Sequence, residues 1–84
     1  MQVAVDISLY PLDPDFVPPI KDVIARLNRY PGFEITTNAM STQIFGEFDA
    51  VMRALHTEIG KTFEQVPKAV FAIRILNNPV TRNR

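Results

Sequence analysis

The chain has 84 residues, a length typical of one domain, and we expect that domain to span residues 1–84. Nine basic and nine acidic residues give a net charge of zero, so the sequence lacks the basic excess typical of nucleic-acid-binding proteins. It contains no cysteine, no apolar run of about 20 residues and no signal-peptide pattern. We therefore expect a cytoplasmic protein without a nucleic-acid partner, disulfides or membrane insertion.

The N-terminal segment alternates between apolar and polar side chains, as a strand with one buried face does. Its apolar positions are Val3, Val5, Ile7 and Leu9. Proline has no N–H to donate, so we expect Pro11 to end the pairing of this strand. The backbone near Leu9 and Tyr10 is then predicted to be free to bind something other than a neighbouring strand.

A loop over residues 13–19 leads into a predicted helix, because proline is tolerated in a first helical turn. The apolar face of this helix is made of Ile20, Val23, Ile24 and Leu27. The opposite face is predicted to be solvated and contains Lys21, Asp22, Arg26 and Arg29. The helix is expected to end at Tyr30-Pro31-Gly32.

Two strands are predicted next, over residues 33–38 and 41–48, with a turn around Asn38-Ala39-Met40 between them. The residues that share one face of the second of these strands are Thr42, Ile44, Gly46 and Phe48. Glycine is unfavourable inside a strand, so Gly46 indicates either a bulge or the close approach of a helix.

Asp49 is predicted to cap a second helix, and Glu58 is assigned to the solvated surface of that helix. The apolar stripe of this helix is predicted to consist of Met52, Leu55, Ile59, Phe63 and Val66. Pro67 is expected to end it. A fourth strand over residues 68–76 follows, and residues 77–84 are predicted to form a loose tail.

The element order is therefore βαββαβ, which predicts an α+β, ferredoxin-like fold with a four-stranded antiparallel sheet and two helices on one face. In that topology the first strand lies between the third and fourth strands. Asp6 and Arg74 then become neighbours on the open face of the sheet and are expected to form an ion pair. Because that face is otherwise largely apolar, we expect it to pack on a second copy, in a homodimer or homotetramer.

Few residues suggest catalysis. His56 is the only histidine, so the sequence predicts no metal site, and its place at the edge of the apolar stripe is typical of a boundary residue. Ser41 and Thr42 come directly after the predicted turn. Hydroxyls at such positions commonly bond to local backbone, and they also suit a binding site beside the exit of the first strand.

Two segments of the chain match a known pattern. The first is the strand exit Ser8-Leu9-Tyr10-Pro11-Leu12 with the acidic loop Asp13-Pro14-Asp15-Phe16 that follows it. The second is Met40-Ser41-Thr42 with the alternating run that leads to Gly46-Glu47. In order and spacing these segments resemble the thiamine-binding (YkoF-like) domain family, and the similarity covers nearly the whole domain.

The resemblance implies reversible binding of thiamine or of its hydroxymethylpyrimidine half, without catalysis and without a cofactor. The residues that it implies as ligand-binding are Leu9, Ser41, Tyr10, Ser8, Met40, Thr42, Asn38 and Phe16. The Leu9 backbone and the Ser41 hydroxyl suit the donors and acceptors of an aminopyrimidine. The role implied for Tyr10, Met40 and Phe16 is to offer apolar surface to the rings.

Two other functions are compatible with the sequence. One is a small dimeric α+β enzyme, such as an isomerase or a monooxygenase, with His56 or Tyr10 as the proton carrier. The other is a structural or regulatory module whose sheet face serves only for assembly.

Overall fold

The computed structural model describes residues 1–79. The elements, in chain order, are β1 (Gln2–Pro11), α1 (Val17–Leu27), β2 (Glu34–Thr37), β3 (Thr42–Glu47), α2 (Phe48–Gln65) and β4 (Ala69–Asn77). All strands are antiparallel to their neighbours and form one sheet in the order β2-β3-β1-β4. The predicted ferredoxin-like α+β fold and the central place of β1 are therefore confirmed. Neither helix of the described part of the chain is long and apolar enough to cross a bilayer.

The core lies between the sheet and the two helices. Its best-buried apolar residues are Val3, Val5, Ile7, Leu9, Val23, Leu27, Ile44, Val51 and Leu55. The odd-numbered residues of β1 face this core as the alternation predicted, and the even-numbered ones lie on the open face. Two layers, one of helices and one of strands, are thus enough to bury one face of the sheet.

Gly46 confirms the predicted close approach of a helix. A Cβ atom built at Gly46 would lie 2.7 Å from the ring of Phe33 and 3.0 Å from a methyl group of Val51 on α2. The pairing of β1 with β3 runs from Gln2↔Glu47 to Ile7↔Thr42 without an extra residue, so no bulge occurs there. A larger residue at this position would therefore force Phe33 or Val51 to shift.

The inward face of α2 differs from the predicted stripe. Its buried residues are Val51, Ala54, Leu55, Glu58 and Thr62. Phe63, which was expected in the core, is 51% exposed, and Met52 is also exposed. Leu55 and Val66 are buried as predicted. The prediction was wrong for Met52 and Phe63, because it left Glu58 and Thr62 out of the buried face.

Arg26 of α1 and Glu58 of α2 were both predicted to be solvated, and both are buried, with 9% and 3% of their surfaces exposed. Arg26 donates through Nε to Oε1 of Glu58 at 2.5 Å and through a terminal nitrogen to Oγ1 of Thr62 at 2.8 Å. It also pairs with Asp22 one turn earlier. The hydroxyl of Tyr30 donates to Oε2 of Glu58 at 2.6 Å. Because each polar group finds a partner, the helices can bury them against each other.

This network perturbs the ionisation of its members. Burial acts to raise the pKa of Glu58, but hydrogen bonds from Tyr30 and Arg26 outweigh that effect and lower it. The hydrogen bond to the Glu58 carboxylate, together with burial, raises the pKa of Tyr30 to about 12. The lowered pKa of Glu58 favours its charged form at neutral pH, and the raised pKa of Tyr30 favours its neutral form.

Two boundaries also differ from the predictions. The cap of α2 is Glu47 rather than Asp49, because its carboxylate accepts hydrogen bonds from the backbone of Asp49 and Ala50, both at 3.1 Å. These bonds lower the pKa of Glu47. Asn77, which was expected to begin a loose tail, is the last residue of β4 and pairs with Val3. Residues 80–84 of the predicted tail lie outside the described residues.

Candidate ligand-binding site

The two neighbours of β1 end at different places. On one side β4 pairs with β1 as far as Pro11↔Ala69, and the amide of Leu12 then donates to the carbonyl of Lys68 at 3.0 Å. On the other side the pairing with β3 stops at Ile7↔Thr42. Pro11 is the last residue of β1, as predicted, but it still pairs with β4, and it is the early end of β3 that leaves one side of β1 unpaired.

The register shows which backbone groups point to that unpaired side. The carbonyl of Met1 accepts from Phe48 next to β3, whereas the carbonyl of Gln2 accepts from Asn78 next to β4. In an antiparallel ladder this direction alternates from one residue to the next. The N–H and C=O of Leu9 therefore point toward the side that β3 has left, where no described strand pairs with them.

The same alternation explains the neighbours of Leu9. Pro11 is two residues after Leu9, so its backbone faces the same, unpaired side of β1. The N–H that proline lacks would point to that side, and the pairing of Pro11 with β4 is therefore not disturbed. The backbone of Tyr10 faces the other side of β1, where it pairs with Val70 of β4. The sequence-based prediction of a free backbone agrees with this register at Leu9 and is wrong for the main chain of Tyr10.

The turn between β2 and β3 is held by Asn38, as Asx turns are. Oδ1 of Asn38 accepts from the amides of Met40 and Ser41, at 2.8 and 3.1 Å, and the amide of Asn38 donates to the carbonyl of Ser41 at 3.0 Å. The hydroxyl of Ser8 donates to the carbonyl of Met40 at 3.3 Å and ties the turn to β1. These bonds fix the backbone of Ser41 beside the open end of β1.

A cavity of about 460 Å³ lies between this turn, the end of β1 and helix α1. All eight residues predicted to bind a ligand line it: Ser8, Leu9, Tyr10, Phe16, Asn38, Met40, Ser41 and Thr42. Tyr10, Phe16 and Met40 are largely exposed, whereas Thr42 is buried and shares a 3.0 Å hydrogen bond with Thr37. The structure thus brings together the two segments that the sequence places about 30 residues apart.

Helix α1 supplies a wall of this cavity that the site prediction missed. Its lining residues are Ile20, Val23, Ile24 and Leu27. The helical spacing identified them as the inward face of α1, but that signal does not distinguish a packed core from a cavity wall. The ring of Phe71 from β4 also lines the cavity. The interior is therefore mostly apolar, with polar groups at the turn and at the end of β1.

The predicted ion pair lies next to this site, on the open face of the sheet. Asp6 is directly opposite Arg74, which donates through Nε to Oδ2 of Asp6 at 3.0 Å and bonds the same oxygen through a terminal nitrogen. The Ser41 hydroxyl and then Arg74 lower the pKa of Asp6. The second oxygen of Asp6, Oδ1, is buried and has no hydrogen-bond partner among the described residues.

Two further observations bear on possible chemistry. No group of three or more His, Asp or Glu side chains in residues 1–79 is placed to hold a metal ion. His56 is exposed on α2 and does not line the cavity, whereas Tyr10 does. Of the two proton carriers considered for an enzyme, only Tyr10 is thus near the site.

Comparison with solved structures shows the same fold in three prokaryotes. A Thermotoga maritima protein, assigned provisionally to thiamine biosynthesis or salvage, superposes with a TM-score of 0.88 at 18% identity over 99% of this chain and 92% of its own. A Streptococcus pneumoniae protein superposes with a TM-score of 0.87 at 22% identity, over 95% of this chain and 90% of its own. A Methanocaldococcus jannascii protein superposes with a TM-score of 0.81 at 22% identity, over 99% of this chain and 87% of its own.

The sequence comparisons are more specific. No curated protein sequence matches the chain significantly. The profile of the family described as thiamine-binding protein, however, matches residues 5–83, which include both segments that meet at the cavity. This match covers nearly the whole chain, and the protein therefore belongs to the thiamine-binding protein family.

Proposed function

We propose that this protein binds thiamine, or its hydroxymethylpyrimidine half, reversibly in the cavity at the end of β1. Binding takes place in the cytoplasm and serves uptake, salvage or sensing of the vitamin. It needs no cofactor and changes no covalent bond. The observation that carries the proposal is the convergence of all eight predicted residues on one cavity in a member of a thiamine-binding family.

The chemistry of the cavity supports an aminopyrimidine ligand. Such a ring has neighbouring donors and acceptors, and the main chain of Leu9 offers one N–H and one C=O side by side. The hydroxyl of Ser41 faces the ring from the other side. The apolar wall of α1 suits the flat faces of a ring, and a volume of about 460 Å³ is within the range of small-molecule pockets.

The exposed aromatic residues suit the second half of thiamine. Tyr10 and Phe16 both line the cavity and are more than half exposed. An aromatic face attracts a cation, and the thiazolium ring of thiamine carries a positive charge. We therefore place the pyrimidine inside the cavity and the thiazolium at its mouth.

Calorimetric titration with thiamine and with hydroxymethylpyrimidine tests this proposal. We expect saturable heat with the wild-type protein. We expect Ser41→Leu to lower the affinity by about tenfold or more, because that change removes a hydrogen bond and fills space. Thr57→Leu, the same kind of change at an exposed position of α2, serves as the control and leaves binding unchanged. Absence of heat with both ligands at millimolar concentration contradicts the proposal.

We further propose that the open face of the sheet joins two copies of the chain, in a homodimer or a homotetramer. Val70, which lies opposite Tyr10, and Leu76, which lies opposite Ala4, are large apolar residues exposed on this face. The charges of Asp6 and Arg74 on the face already neutralise each other, so an identical surface meets no net charge.

Light scattering tests the assembly. We expect the wild-type protein to have at least the mass of a dimer and Val70→Lys to shift it toward the monomer. Met52→Lys adds the same charge at an exposed position of α2, away from the sheet, and leaves the mass unchanged. A monomeric wild-type protein contradicts this part of the proposal.

A further inference from the structure

The Ser41 hydroxyl lies at the boundary between the cavity and the open face of the sheet. Ser41 lines the cavity, and it is two residues before Gln43, the residue directly opposite Asp6. Ser41 directly precedes β3, and continuing the alternation of that strand by one residue puts Ser41 on the same face as Gln43 and Asp6. The Asn38 turn fixes the backbone of Ser41, so the freedom left to its hydroxyl is rotation of the side chain and of the hydroxyl proton.

Asp6 offers an acceptor for that proton. Arg74 occupies Oδ2 of Asp6, whereas Oδ1 is buried and has no hydrogen-bond partner in the described part of the chain. An ionised carboxylate can only accept hydrogen bonds, and a buried oxygen without a donor is costly. Asp6 has two opposite residues in the sheet: the charged Arg74 on β4 and the neutral Gln43 on β3.

We propose that the Ser41 hydroxyl donates its proton to Asp6 and therefore presents only lone pairs to the cavity. This inference rests on the proposed function and assigns a specificity role to Asp6, which does not itself line the cavity. A site polarised in this way accepts a hydrogen bond from the amino group of the pyrimidine. It disfavours a ligand with a carbonyl oxygen at the same place, because two acceptors would then face each other.

The test compares thiamine with the analogue in which oxo replaces the pyrimidine amino group. We expect the wild-type protein to bind thiamine about tenfold to a hundredfold more tightly than the oxo analogue. In Asp6→Asn the side chain keeps its shape but can donate to Ser41, which frees the serine proton for the cavity. We therefore expect this variant to lose the preference or to reverse it.

Arg74→Gln is the matched control, since it removes the partner of Asp6 but leaves its carboxylate charged. We expect this variant to retain the preference for thiamine. If wild type and Asp6→Asn bind thiamine and discriminate equally against the oxo analogue, the role of Asp6 is refuted while the proposed function stands. If the wild-type protein binds neither ligand, the proposed function itself fails.

A second measurement tests the hydrogen bond without any ligand. Carboxyl NMR titration gives the pKa of Asp6 in the wild-type protein and in Ser41→Ala, where loss of the donor is expected to raise it. Ser8→Ala removes a hydroxyl from the same face that donates to Met40 instead, and it should leave the pKa of Asp6 unchanged. An equal pKa in wild type and Ser41→Ala overturns the inference whatever the ligand.

Discussion

The two faces of the sheet use the same kind of ion pair in different ways. On the helix-covered face Arg26 and Glu58 are buried and fully engaged with each other and with Tyr30 and Thr62. On the open face the Arg74 side chain is 85% exposed, and it occupies only one oxygen of Asp6. The covered pair holds two helices together, whereas the open pair leaves an acceptor beside the candidate site. Burial and partner count, rather than the residue types, set the role of each pair.

The largest expected effect comes from breaking the covered pair. Glu58→Ala leaves Arg26 buried without its main partner, and we expect the free energy of unfolding to fall by about 3–5 kcal/mol. Urea denaturation measures the loss. The double variant Arg26→Met, Glu58→Met should lose less than Glu58→Ala, because no unpaired charge remains. A loss no larger than that of an exposed pair would abolish the contrast between the faces.

Packing on the covered face is tested by two glycines. Gly46→Ala places a methyl group against Phe33 and Val51, and we expect a loss of about 1–3 kcal/mol in unfolding free energy. Gly60→Ala is the control on the exposed side of α2, where nothing lies within 4 Å of the added atom. There alanine should stabilise the helix by about 0.5–1 kcal/mol. Equal effects at both positions would contradict the tight packing at Gly46.

Alkaline titration tests the ionisation of the covered network. The pKa of Tyr30 is raised to about 12 by Glu58, above the value near 10 of an unfolded chain. Its contribution to stability is therefore complete below about pH 10 and is lost as the pH rises toward 12. Tyrosinate absorbance of the wild-type protein, compared with Tyr30→Phe, isolates this group. A Tyr30 pKa near 10 would show that the hydrogen bond to Glu58 does not form.

The smallest effect on stability is expected from the open pair. Arg74→Gln removes a largely exposed partner, so solvent and salt already screen most of the interaction. We expect its unfolding free energy to change less than that of any variant above, and to depend on salt less than the wild-type value does. Urea denaturation at low and high salt measures both. A loss comparable to that of Glu58→Ala would overturn the comparison.

The pattern of β1 predicted its structure well because a strand alternates strictly between two environments. The same kind of reasoning failed on α2, since Glu58 and Thr62 look like solvent-facing residues until Arg26 is known to lie against them. That contact joins residues 32 and 36 positions apart, and no local pattern reports it. The ferredoxin-like order was predictable from local elements, whereas the rotation of α2 about its axis was not.

The sequence identified residues that line the candidate site, but not the reason why the backbone of Leu9 is unpaired there. Leu9 was identified through Pro11, yet its backbone is free of strand pairing because β3 ends early, which only the register reveals. The resemblance identified the residues of the turn and the strand exit. It did not identify the apolar wall of α1, because residues of a core and of a cavity wall follow the same helical spacing.

Amide NMR during a thiamine titration tests the central claim most directly. The account predicts saturable shifts that are largest at the Leu9 amide and at Ser41, with little change at exposed positions of α2 such as Thr57. Absence of saturable shifts, or shifts confined to surfaces away from the end of β1, would contradict it.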